Sequence, residues 1–254
     1  MIDLNHVSLR REETQILDDV TLTVRKDEHW VLLGRNGSGK TSILEMINGY
    51  VFPSSGTVKV LHSIYGKVDV REIRRKIGYI SQSLMDKLAL SDPVWEVVAT
   101  GEFGYLRFYE QIPEDLKEKA MRMLAFVKLE HRGTHLLGTL SQGERKKAML
   151  ARALMADPTL LIMDEPCSGL DLFEREQLLV TINELNMKSV TLFYVTHHME
   201  EIMPLFTHVA LLEQGKLIAA GPKRDVLTEE NIRLAYNVNV DLEWHQDRPW
   251  IRVI

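Results

Sequence analysis

A single cysteine, Cys167, stands among 254 residues, so no internal disulfide can form and a disulfide framework is excluded. No stretch approaches the roughly 18 uninterrupted apolar residues of a membrane span. The opening MIDLNHVSLRREETQ lacks the basic region and apolar core of a secretory signal. With no internal repeat or low-complexity tract, these absences lead to the expectation of a cytoplasmic protein without a span of its own. Charge of neither sign dominates: 31 Lys and Arg against 36 Asp and Glu give a net charge of -5. That leaves no broad basic footprint for nucleic acid. The local cluster ERKK at 144–147 reads as a solvated helix face.

What the chain does have is the pattern of an α/β protein. At 254 residues it exceeds the roughly 150 expected of one domain, which suits one large α/β domain or a core with an insert. VTLTV at 20–24 alternates like a half-buried edge strand, whereas HWVLLG at 29–34 is continuously apolar, as a central strand buried on both faces would be. Further runs, KIGYIS, TLLIMD, VTLFYVT, HVALLE and KLIAAG, alternate with helical segments and predict an open, mostly parallel sheet. Between 91 and 156 the alternation lapses. PVWEVVATG, PEDLKEKAMRMLAFVKL and SQGERKKAMLARALM all have helical spacing, the last two opening at Pro113 and Ser141. A helical insert follows, and KRDVLTEENIRLAY predicts one more helix before a hairpin turning at 247–249.

GRNGSGKT at 34–41 fits G-x-x-x-x-G-K-[ST] directly after a buried strand and before a helix, the context that motif requires. Successive backbone N–H groups close around phosphate, the helix start adds positive potential, Lys40 neutralises the β- and γ-phosphates and the Thr41 hydroxyl can ligate Mg²⁺. The candidate phosphate-binding set is Gly34, Asn36, Gly37, Ser38, Gly39, Lys40, Thr41 and Ser42. Asp164 and Glu165 end a buried strand, where open α/β sheets build sites. Adjacent acids there suggest divided labour, Asp164 towards Mg²⁺ and Glu165 towards a water. His197 and His198 end another strand; either is a polar strand end or an imidazole within reach of phosphate. A metal held by the pair is disfavoured, because neighbours on a strand point to opposite faces.

Taken in order, the P-loop, Gln82 after a strand, LSQGE at 140–144, LLIMDEP, SGLD at 168–171 and VTH resemble the ATP-binding cassette (ABC) ATPases from Asp3 to about Val226. The resemblance implies a RecA-like P-loop NTPase core with an N-terminal antiparallel β-subdomain and an inserted α-helical subdomain. On that plan the core is 1–83 and 157–226, the helical signature subdomain 84–156 and a C-terminal extension 227–254. It implies Glu165, His197 and Gln82 as catalytic residues; Thr41, Gln82 and Asp164 as metal ligands; and Asp171 in the D-loop. It also implies that Ser141, Gln142, Gly143 and Glu144, the signature, meet ATP in trans on a second subunit, so that the chain works as a homodimer or heterodimer around ATP and Mg²⁺.

Two departures stand out. Gln142 and Glu144 replace the Gly and Gln of LSGGQ, with Ser141 and Gly143 retained. Where many relatives place an aromatic on adenine, Arg10 and Arg11 stand; Arg11 either stacks on the base or is a solvated strand end. The size of the chain and the segment 81–104, which resembles the permease-contacting region, imply an integral membrane permease as partner. The protein would then be peripheral at the inner face of the cell membrane. The tail from Leu227 is similar to that of ATPases serving metal-chelate uptake, hence an importer-like system. The rival from another class is a soluble ABC ATPase that switches a protein or nucleic-acid partner.

Overall fold

A computed structural model describes residues 1–187 and 189–254. The chain divides into two compact units, Met1–Arg74 with Thr191–Ile254, and Arg75–Val190.

In the first unit, β1 (Ile2–Arg11) and β2 (Thr14–Val24) pair antiparallel, with Ile2 opposite Val24 and Arg11 opposite Thr14. Val20, Leu22 and Val24 point inward while the residues between them are exposed, the alternation of a sheet with one dry face. β3 (Trp30–Leu33) is buried throughout and leads into α1 (Lys40–Ile47). β4 (Ser55–Val60) pairs with β1, and β5 (Ser63–Ile64) with β4, giving the order β2-β1-β4-β5 with β2 at an edge as expected. α2 (Val70–Arg74) closes this first segment.

The second unit opens with β6 (Ile77–Ile80) and a run of helices: α3 (Gln82–Met85), α4 (Val94–Ala99), α5 (Glu114–Phe126) and α6 (Gln142–Leu154). β7 (Leu160–Asp164) then pairs parallel with β6, and α7 (Leu172–Asn183) follows. The helices expected at Pro113 and Ser141 begin there, these residues being the N-caps of α5 and α6. Just past α4, a Cβ on Gly101 would lie 2.0 Å from the Arg152 carbonyl oxygen, so only glycine lets these backbones approach. This unit extends beyond 84–156 on both sides, because β6, β7 and α7 pack with the helices between them.

The chain returns to the first unit with β8 (Thr191–Thr196), β9 (His208–Glu213) and β10 (Lys216–Pro222). β3 lies between β8 and β9, parallel to both, and β10 runs antiparallel to β9. The expected last helix is two, α8 (Lys223–Val226) and α9 (Glu229–Tyr236), with Thr228 capping the second. β11 (Val240–His245) and β12 (Arg248–Val253) form the hairpin. Its turn is Gln246–Asp247, both at positive φ, 49° and 63°, the mirror-image turn that suits strand twist. The expected turn at 247–249 is thus displaced, and Pro249 stands in β12 opposite Trp244. Asp247 ion-pairs with Lys223 at 2.5 Å and Arg224 at 2.9 Å, fastening the extension to α8.

Candidate functional site

In the first unit, residues 34–39 turn from β3 into α1. Gly37 and Gly39 hold φ of 82° and 107°, and a Cβ on Gly34 would sit 2.3 Å from the Leu212 carbonyl oxygen. Gly39 caps α1 without any side-chain hydrogen bond, which leaves the first N–H groups of the helix without a capping side chain. Ser38 Oγ is buried and has no hydrogen-bond partner among the described residues. Lys40 is buried, and its Nζ donates to the carbonyls of Gly34 at 2.7 Å and Arg35 at 3.1 Å. Asn36 and Thr41 are exposed and Ser42 is half-buried. Uncapped N–H donors, an orphaned hydroxyl and a folded-back ammonium make a turn suited to a polyphosphate.

The signature lies in the second unit and is differently built. Ser141 caps α6: its Oγ accepts from the Glu144 N–H at 3.2 Å, while Glu144 Oε2 accepts from the Ser141 N–H at 2.8 Å. This is a complete capping box. The S-x-x-E spacing that encodes it stands in LSQGE. Glu144 also accepts from Arg132 Nε at 2.9 Å. Burial works against the Glu144 anion, yet the Ser141 N–H and Arg132 outweigh it and hold the carboxyl below its ordinary pKa. A second carboxylate lies here that sequence reasoning missed. Glu174 Oε1 accepts from Ser141 Oγ at 3.2 Å, and a Cβ on Gly143 would come 2.7 Å from that carboxyl group. Glu174 stands three residues after Asp171, which caps α7 by accepting the Glu174 N–H at 2.8 Å. A Cβ on Gly169, at φ 79°, would fall 3.0 Å from Gln142 Oε1, so the SGLD turn lies against the signature within this unit.

Asp164 ends β7 and Glu165 follows it at φ 46°. A left-handed glutamate costs of order 1–3 kcal/mol, and such strain gathers at functional sites. Gln82 opens α3, donating through Nε2 to Asp86 Oδ1 at 2.8 Å and accepting through Oε1 from Lys146 Nζ at 3.2 Å. The ERKK cluster is therefore no solvated face: Lys146 is 4% exposed and the other three are half-buried. Helical periodicity turns this part of α6 inward, which the charge of the residues masked in the sequence.

His197 and His198 follow β8 in the first unit with ring centroids 4.0 Å apart. The strand ends at Thr196, so the opposite-face rule expected for the pair does not apply. Among the described residues no group of three His, Cys, Asp or Glu could hold a metal. Arg11 Nη2 donates to Glu45 Oε2 on α1 at 3.0 Å. In the segment expected to meet a permease, Leu84 and Met85 are half-buried, Leu88 is buried and Leu90 is 51% exposed. Further exposed apolar side chains lie in the same unit, partly beyond the expected segment 81–104. Phe103, Tyr105 and Leu106 are exposed, Tyr109 is 92% exposed, and Phe103, Tyr105 and Phe108 form one aromatic cluster. No helix among the described residues is long and apolar enough to cross a membrane.

Comparison with known proteins places these features in a family. Residues 17–168 match the family profile described as ABC transporter. The chain is 40% identical over 254 residues to the Bacillus subtilis (strain 168) protein called uncharacterized ABC transporter ATP-binding protein YlmA, covering 99% of this chain and 96% of that one. It is 32% identical over 253 residues to the YmeB ABC transporter ATP-binding protein of Lactococcus lactis, covering 99% and 98%. Among solved structures, the ADP conformation of the cassette MJ1267 superposes with a TM-score of 0.80 at 23% identity, covering 93% of this chain and 98% of that one. The dimeric structure of the bacterial cassette MJ0796 does so with a TM-score of 0.75 at 26% identity, covering 87% and 98%.

Proposed function

Since this chain belongs to the ABC transporter family, we propose that it is the ATP-hydrolysing subunit that energises a membrane transporter. ATP lays its phosphates in the turn at 34–42. Lys40 exchanges the Gly34 and Arg35 carbonyls for β- and γ-phosphate oxygens, and the Ser38 hydroxyl gains the partner it lacks within the turn. Mg²⁺ fits the donor set: the Thr41 hydroxyl, Gln82 amide oxygen and Asp164 carboxylate are hard oxygen ligands. When bound, Mg²⁺ neutralises charge on the phosphates. Glu165 takes the proton of the attacking water and His197 turns towards the γ-phosphate. Arg11, steadied by Glu45, offers its guanidinium plane to the base.

Two copies, identical or related, close around two nucleotides, each presenting residues 141–144 to the ATP of the other. The dimeric MJ0796 cassette, 26% identical, supports the pairing of two copies. The transport role rests on one observation above others, the apolar side chains exposed in this unit, the Phe103–Tyr105–Phe108 cluster, Tyr109 and Leu90, which would take the apolar face of a permease helix. The names of the relatives favour this over a soluble switch. The resemblance of the tail to metal-chelate uptake ATPases supports the importer-like direction. Tyr109→Asp and Leu90→Asp should fold with a thermal midpoint close to the parent and lose co-purification with an integral membrane protein in mild detergent. Retained association in both variants, or a soluble protein as the only stable partner, would refute the docking surface or the transport role respectively.

A further inference from the structure

We propose that Lys146 is a positioning residue for hydrolysis: its ammonium holds the side-chain oxygen of Gln82 and yields that oxygen to Mg²⁺. The inference rests on the reading of Gln82 as a Mg²⁺ ligand and extends it to a residue outside every motif of the sequence.

α6 carries Lys146 one turn beyond Gln142, on its inward face, where it is 4% exposed. A buried ammonium is costly unless its charge and protons find partners. Its Nζ donates to Gln82 Oε1 at 3.2 Å. The carboxylates of Asp86, Asp164 and Glu165 add favourable negative fields at the amine. Every one of these groups lies in the same compact unit.

The amide of Gln82 is committed at both ends. Its Nε2 donates to Asp86 at 2.8 Å, which fixes the amide the right way round, since the flipped form would point an NH₂ at an ammonium. Lys146 therefore stands on the very atom that a cation ligated by Gln82 must use, in the field of the two acids at the end of β7. Two cations sharing one carbonyl oxygen in a partly buried place repel strongly. Mg²⁺ and Lys146 thus alternate on Gln82. Because Lys146 belongs to the helix that the signature begins, the exchange carries news of Mg²⁺ to α6 within one chain.

The test is a Mg²⁺ titration of the full-length protein with a fluorescent ATP analogue, reading nucleotide binding rather than turnover. Lys146→Met should lower the half-saturating Mg²⁺ concentration by about tenfold, a coupling of ordinary size for groups in contact. Lys146→Gln keeps a neutral donor and should lower it less, and it decides the matter should Lys146→Met fail to fold. In a Gln82→Ala background neither change should move the midpoint. An unmoved midpoint in the folded single variants overturns the proposal. So does the same shift persisting without Gln82, which would assign it to charge alone. If Gln82→Ala with Lys146 intact keeps the parental midpoint, the Mg²⁺ role of Gln82 itself falls, and the proposal with it.

Discussion

Two turns of this chain begin helices with phosphate-friendly residues, and they are built in opposite ways. The turn at 34–39 opens α1 on a left-handed glycine with no side-chain cap. The turn at 140–144 opens α6 with a full capping box and a glutamate laid across it. The first leaves its helix-end donors to a ligand; the second ties the Glu144 N–H to Ser141 and sets the Glu174 carboxylate against Ser141 Oγ and Gly143. An open turn can bind nucleotide unaided. One with a carboxylate across its start engages an anion only against that charge, which suits a surface that should meet phosphate only when a second subunit brings it.

Removing the cation from the open turn should have the largest effect. Lys40→Ala should weaken ATP binding by about 2–5 kcal/mol, the range for truncating one partner of a desolvated charge pair. Calorimetric titration with parental affinity would break the comparison at its first term. Glu165→Gln keeps the shape of the base and loses its function, so turnover should fall by about 10²–10⁴-fold while ATP binding persists. Since hydrolysis reopens the dimer in the proposed cycle, this variant should accumulate as an ATP-bound dimer in light scattering; a monomer at saturating ATP would count against closure.

The capped turn can be sharpened by subtraction. In the Glu165→Gln background, Glu174→Ala removes the carboxylate from the start of α6. It should lower the ATP concentration for half-maximal dimerisation by about two- to fivefold, the scale of a charge at a helix end. No change would mean that Glu174 does not compete with phosphate. The smallest effect belongs to the cap. Glu144→Gln should cost about 0.3–1.5 kcal/mol of stability at neutral pH. The Glu144 carboxyl is held below its ordinary pKa in the folded protein. Its contribution is therefore complete above the ordinary carboxylate range and lost as pH falls through the depressed value. Melting midpoints of parent and variant should converge in acid.

The same contrast explains what could be read from the sequence. The P-loop was legible because its function is local: glycines at fixed spacing, one lysine, one hydroxyl, a buried strand before and a helix after. The all-apolar β3 and the alternating β2 announced their places in the sheets. The irregular β1, with register shifts against β2, the short β5 and β4, buried only towards its end, carried no such pattern. At the signature, Ser141 and Gly143 were visible, but Glu174 reaches them from a helix 33 residues on, a distance no spacing rule covers. Lys146 was hidden for another reason. A basic run looks solvated until the face of the helix is known.

In the proposed cycle the open turn of one copy works with the capped turn of another. This pairing is tested most directly by mixing two inactive proteins. Lys40→Ala disables the P-loop and leaves the signature whole; Ser141→Arg blocks the signature and leaves the P-loop whole. In a heterodimer of the two, one pairing joins an intact P-loop to an intact signature. ATPase activity absent from either protein alone should return in part on mixing. Heterodimers shown to form without any activity would contradict the pairing.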